Sequence, residues 1–163
     1  MIDGVGKYAF DPLALTKSAD LFKPWWVIIQ LSDDTSDYYR WFVEKRYGLK
    51  LQRPAWGSHI SVIRGEETTQ EKWNSYKKEY DGKPVKFTHQ SELRSNGKHW
   101  WIRIISEEAK DLRENMGYPR DGLWGLHLTI GMPIPRFEQQ SYDILRRIEK
   151  FPHPSHELKF IGL

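Results

Sequence analysis

With 163 residues, no cysteine, and 25 basic residues interleaved with 22 acidic ones for a formal charge of +3, the chain has the size of one domain with a substantial core. The lack of cysteine excludes disulfides, a thiolate nucleophile and a Cys-based zinc site, and the mild, unblocked basicity suits an anionic small ligand better than long nucleic acid. No apolar run approaches the ~20 residues of a membrane span and no basic-then-apolar leader opens the sequence, so the expectation is a soluble protein of the cytosol that does not engage membranes.

In chain order, residues 25–31 (WWVIIQL) read as a buried strand, and the bulky residues of DYYRWFVEKRY recur at helical spacing from about Asp37 to a stop at Gly48. Residues 59–63 form the next strand. TTQEKWNSYKKEY follows, with a Thr cap, Glu71 in the first turn and Trp73, Tyr76 and Tyr80 three and four apart, which predicts a helix ending at Asp81-Gly82. PVKFTHQSELRSNGKHWWIRII predicts two strands about a Ser95-Asn96-Gly97 turn, and SEEAKDLRENMG a capped helix closed by Gly117. A strand over 126–130, a helix over 137–150 and a last strand within 157–163 complete the reading, the last after the proline-interrupted loop FPHPSH. The alternation predicts a single α+β domain spanning 1–163, made of two related lobes with no linker between them.

One pattern occurs twice: Trp56-Gly57-Ser58-His59-Ile60-Ser61-Val62 and Trp124-Gly125-Leu126-His127-Leu128-Thr129-Ile130. In a strand, residues two apart share a face. His59 and Ser61 therefore point one way and Ile60 and Val62 the other, and the second copy repeats this with His127 and Thr129 against Leu128 and Ile130. Two imidazoles and two hydroxyls facing one cleft suit general acid–base chemistry near neutral pH, one ring taking a proton while the other gives one. A lone histidine on a strand face is more often structural; the duplication is what points to chemistry.

At these residues the sequence resembles the two-histidine phosphoesterase superfamily, whose signature is a duplicated His-x-Ser/Thr followed by an aliphatic residue. The order of WWVIIQL, YYRWFVEKRYG, PAWGSHISVIRGE and GLWGLHLTIG is further similar to phage phosphodiesterases that disarm cyclic-oligonucleotide (CBASS) immunity. The resemblance implies a bilobal fold in which antiparallel sheets flank a central cleft with helices outside. It also implies metal-independent hydrolysis of cyclic di- and trinucleotides such as 3′,3′-cyclic GMP-AMP, with His59, Ser61, His127 and Thr129 as the catalytic set and no cofactor. Members of the family also hold the bases with aromatic and acidic side chains, for which Trp26, Trp101 and Glu157 are the candidates by residue type and order.

Each Trp doublet in an alternating strand places one ring on each face, so one of each pair belongs to the core. Trp56 and Trp124 are read as shaping the turns ahead of the motif strands, and Glu66-Glu67 as a solvated approach to a helix. His153 and His156 have a metal-like separation but a proline between them and no nearby cysteine to complete a ligand set, so no metal is expected. Two other functions fit the composition: an RNA 2′,3′-cyclic phosphodiesterase using the same four residues, and a noncatalytic nucleotide- or RNA-binding module built on the aromatic content.

Overall fold

The computed structural model describes residues 1–12, 25–150 and 158–160, with backbone alone at 148–150 and 158–160. Its strands are β1 (Ile2–Phe10), β2 (Trp26–Gln30), β3 (Leu51–Gln52), β4 (His59–Arg64), β5 (Pro84–Ser95), β6 (Trp100–Ile105), β7 (His127–Pro133) and β8 (Leu158–Phe160). Its helices are α1 (Asp34–Tyr47), α2 (Gln70–Tyr80), α3 (Glu107–Asn115) and α4 (Glu138–Lys150). The caps follow the sequence. Thr69 Oγ1 accepts the Lys72 amide at 3.2 Å, Ser106 Oγ accepts the Ala109 amide at 3.2 Å, and α1 stops at a left-handed Gly48.

The fold is α+β, as expected, with one difference in the sheet. The strands run β1-β2-β4-β7-β6-β5 in one continuous antiparallel sheet, and β1 pairs again with β5, closing six strands into a barrel. In place of two separate sheets there is a ring. The cause is β1, a nine-residue strand that lends Ile2–Lys7 to β5 and Lys7–Phe10 to β2. β3 adds to the far end of β7, and β8 pairs with β5 in parallel.

One face of this sheet carries the main core. Val27, Ile29, Ile60, Val62, Ile102, Leu128 and Ile130 are buried there with Tyr39 and Val43 of α1, Trp73 of α2, Leu112 of α3 and Ile144 and Leu145 of α4. The aliphatic positions of both repeats thus lie in one cluster. Burying an aliphatic side chain of this size contributes about 1.5–3 kcal/mol, so the repeats are anchored by their even-numbered members.

β4 and β7 sit side by side and meet at a single register pair, Ile60 with Leu128, which are the same position of the two repeats. An approximate local twofold therefore relates the motif strands. The neighbours obey it: Ile28 pairs with Ser61 and Val27 with Ile63, while Trp101 pairs with Thr129 and Trp100 with Gly131. In each case one residue of the motif strand, Val62 or Ile130, is extra. Both strands carry a β-bulge three residues after the histidine, which leaves two consecutive residues facing the core and turns the next one to the other side.

A bulged residue has no ladder partner for its carbonyl, and a buried carbonyl needs one. Each repeat meets the need with an arginine from a helix. Arg113 of α3 donates from Nη1 to the Val62 carbonyl at 2.7 Å, and Arg40 of α1 donates from Nη1 to the Ile130 carbonyl at 2.7 Å. Arg113 is nearly buried and is neutralised by Glu66 at 2.6 Å, while its Nε donates to the Pro119 carbonyl at 2.8 Å. Glu66 is thus a half-buried ion-pair partner and not the solvated charge expected from sequence. Replacing Arg113 by alanine strands the Val62 carbonyl and the Glu66 carboxylate together, and is expected to cost about 3–5 kcal/mol of stability. Chemical denaturation reads this directly, and a midpoint equal to wild type would show that another group satisfies the bulge.

Candidate active site

The face opposite the main core carries the four residues of the repeated motif. His59, Ser61, His127 and Thr129 are all half-buried and share that face, with Ile60 and Leu128 pointing away between them. By the register, Thr129 lies across from His59, and His127 across from Ser61. The structure therefore brings the four predicted residues together.

The reason for the Gly two positions before each histidine is visible here. Gly57 and Gly125 both adopt the left-handed conformation, with φ of 73° and 62°, which a side chain would strain. This turns their carbonyls back onto the imidazoles: His59 Nδ1 lies 3.0 Å from the Gly57 oxygen and His127 Nδ1 3.1 Å from the Gly125 oxygen. A carbonyl can only accept, so each Nδ1 carries the proton and each Nε2 of the neutral ring presents a lone pair. Both histidines are held in the same tautomer, and among the described residues none hydrogen-bonds to either Nε2.

The turn before His59 is further tied to α1. Asp33 Oδ1 accepts from the Ser58 amide at 3.0 Å and from the Ser58 hydroxyl at 2.6 Å, and Ser58 also bonds Ser36. These hydrogen bonds from Ser58 hold the Asp33 carboxyl below its ordinary range. In the second repeat the equivalent of Ser58 is the buried Leu126, so that turn is held by packing instead.

Electrostatically, both imidazoles are held below their ordinary value. Burial is the main cause in each, the glycine carbonyls work in the opposite direction, and the Arg64 guanidinium pushes both down. The His59 ring is also lowered by the charge of His127, so the two rings are close enough to repel. In the free protein at neutral pH both rest as neutral bases.

The neighbouring residues differ between the halves. In the first, Trp26 is nearly buried: its Nε1 donates to Ser61 Oγ at 3.4 Å, its ring meets Trp56 edge-on at 5.8 Å and His59 at 6.5 Å, and the Arg64 guanidinium lies 4.4 Å above it. Trp26, a candidate for holding a base, is covered in this way on the site face, where it donates to Ser61 and lies beneath Arg64. Trp101, half-buried and paired with Thr129, remains on the site face with its ring available. The doublets do place one ring on each face, Trp25 and Trp100 against the core and Trp26 and Trp101 opposite.

The two doublets are nevertheless not equivalent. Since Ile28 matches Trp101 and Val27 matches Trp100, the counterpart of Trp26 is His99. His99 lies near enough to His127 for that charge to help hold its own imidazole low, after burial and Lys98. Its spacing of two from Trp101 is the signal in the sequence that puts it on this side of the sheet.

Trp56 and Trp124 also part company. Trp56 packs on Trp26 as a turn-shaping residue should, whereas Trp124 is 74% exposed beside the 90% exposed Leu123. Glu157 and the remainder of the tail other than 158–160 lie outside the described residues, as do His153 and His156. Among the described residues no three His, Cys, Asp or Glu side chains cluster as a metal ion would require. Among them, too, no helix is long and apolar enough to cross a membrane. Chemically, the arrangement offers two imidazole lone pairs as proton acceptors, and two hydroxyl donors and one nearby cation to an anionic group. No family model, no curated protein and no solved structure matches this chain.

Proposed function

We propose that the protein is a metal-independent phosphodiesterase that opens cyclic di- and trinucleotide second messengers to linear products. The observation that carries this reading is the pair of imidazoles on adjacent strands, each with Nδ1 tied to a left-handed glycine carbonyl and Nε2 unbonded among the described residues. Without a metal, the nucleophile that suits two such bases is the ribose 2′-hydroxyl next to the scissile 3′,5′-phosphodiester.

One neutral histidine removes the 2′-hydroxyl proton as the oxygen attacks phosphorus. The other, protonated on Nε2, gives its proton to the departing 5′-oxygen. The bond formed is 2′-O–P and the bond broken is P–O5′, leaving a linear chain with a 2′,3′-cyclic phosphate. With the roles exchanged, water opens that ring to a 3′-phosphate. Ser61 and Thr129 donate to the nonbridging oxygens as charge builds on them, and loss of one such donor commonly costs about 3–4 kcal/mol of transition-state stabilisation.

The same reading takes the chain as a two-histidine phosphoesterase of two pseudo-symmetric lobes, supported by the local twofold between β4 and β7. It places the chain among phage phosphodiesterases acting on cyclic messengers in the host cytosol. The experiment is incubation of 3′,3′-cyclic GMP-AMP and a cyclic trinucleotide with excess chelator, products being separated and weighed by mass spectrometry. Ring opening with a transient 2′,3′-cyclic phosphate is expected, and a ring lacking 2′-hydroxyls should stay intact. Intact ribose rings together with cleavage of RNA 2′,3′-cyclic ends would instead assign the substrate to RNA termini.

A further inference from the structure

Arg64 holds a position that the alternation of its strand would not give it. Counting two by two from His59 and Ser61 reaches Ile63, so Arg64 belongs by parity with Ile60 and Val62 on the core side. The bulge at Val62 resets the count: Val62 and Ile63 are both buried, and Arg64 emerges on the face of His59 and Ser61. There it is stacked on Trp26 at 4.4 Å, and that same Trp26 donates to Ser61. Its charge is felt by both histidines. Among the described residues no carboxylate pairs with it, while the neighbouring Glu66 spends one oxygen on Arg113 and the other on the Arg64 amide.

The second repeat has no equivalent. Its own bulge turns Met132 into the matching place, one position beyond the Gly131–Trp100 pair. One half of the site therefore carries a cation on an aromatic support, and the other an uncharged thioether at the matching position. A guanidinium in a face otherwise made of neutral imidazoles and hydroxyls, with its apolar plane supported and its N–H edges unspent among the described residues, is suited to a nonbridging phosphate oxygen.

We infer that Arg64 is the phosphate-gripping residue of this site, drawing the phosphodiester onto the Ser61 side and so making the two halves unequal in how they hold it. The inference rests on the phosphodiesterase reading for its substrate but not for its chemistry, which requires only an anionic phosphate.

The test uses two ligands that cannot react: cyclic di-2′-deoxyadenylate, which has two phosphodiesters and no 2′-hydroxyl, and inorganic phosphate. Each is titrated into wild type, Arg64→Met and Arg64→Lys while the ring-proton resonances of His59 and His127 are followed. Methionine installs the residue of the second repeat and keeps an apolar stem over Trp26, and unchanged thermal midpoints show that all three proteins are folded. Arg64→Met is expected to weaken both ligands roughly 10- to 100-fold, with Arg64→Lys in between. The wild-type affinity should also fall with added salt more steeply than that of the methionine variant.

Equal affinities in wild type and Arg64→Met overturn the inference, even where wild type opens ribose rings. Phosphate binding that depends on Arg64 in a protein that leaves every cyclic oligoribonucleotide intact retains the anion site and removes the cyclic-oligonucleotide reading. A wild type that binds neither ligand overturns both.

Discussion

Replacing His59 or His127 by alanine is expected to slow ring opening by roughly 10²- to 10⁴-fold for either residue alone. The double variant should fall no more than about tenfold below the worse single one. The near-equality follows from the geometry, because each ring presents Nε2 in the same tautomer through the same glycine contact. The non-additivity follows from the chemistry. A base without its acid leaves the 5′-oxygen to depart as an alkoxide, and an acid without its base leaves a neutral hydroxyl to attack, so removing either removes most of what the pair supplies.

Neither ring belongs to the apolar cluster, so the variants should fold, and single-turnover assays with mass detection give the rates without interference from product release. A variant retaining more than a tenth of the wild-type rate would mean that its histidine is a spectator. His99 is the first residue to test in its place, being the other imidazole within reach of His127.

The site was legible in the sequence as far as simple periodicity holds. A period of two puts His59 with Ser61 and His127 with Thr129, and buries Ile60, Val62, Leu128 and Ile130, which is where the structure has them. Helices were legible because capping is local: Thr69 and Ser106 each accept the amide three residues on. What escaped was whatever depends on a break in the period or on distant partners. Arg64 is on the site face only because Val62 is bulged, and that bulge is held by Arg113, which lies in α3, 51 residues away. His99 and Trp26 became counterparts only through register, whereas the sequence invited matching Trp25-Trp26 to Trp100-Trp101. β1 escaped because GVGKYAF carries glycines at two of its inward positions, weakening the alternation that marks a strand. That omission also hid the closure of the sheet.

The second large effect is in pH. The dependence of kcat/KM is expected to be a bell whose maximum lies on the acid side of about 6.5, the ordinary imidazole value, with slopes of about tenfold per pH unit on each side. Burial, opposed by the glycine carbonyls and reinforced by Arg64, lowers both site histidines in the free protein, and the charge of His127 lowers His59 further. The reactive form has one ring neutral and one protonated. Its population therefore peaks between two macroscopic values that belong to the pair, both below the ordinary one. A bound phosphodiester brings negative charge against the rings, favours their protonated forms, and should move the kcat optimum to higher pH than that of kcat/KM.

The same shifts bear on stability. Because the folded-state values lie below the unfolded ones, the unfolded chain binds more protons as the pH drops through and below about 6.5. Stability should thus decline on that side and not above it. Arg64→Met separates the causes: removing a cation relieves the penalty on protonation, so the kcat/KM optimum should move upward even as KM rises. An optimum that stays in place in that variant would leave burial, with the charge of His127 on His59, as the origin of the low values, and Arg64 too far from the rings to act on them.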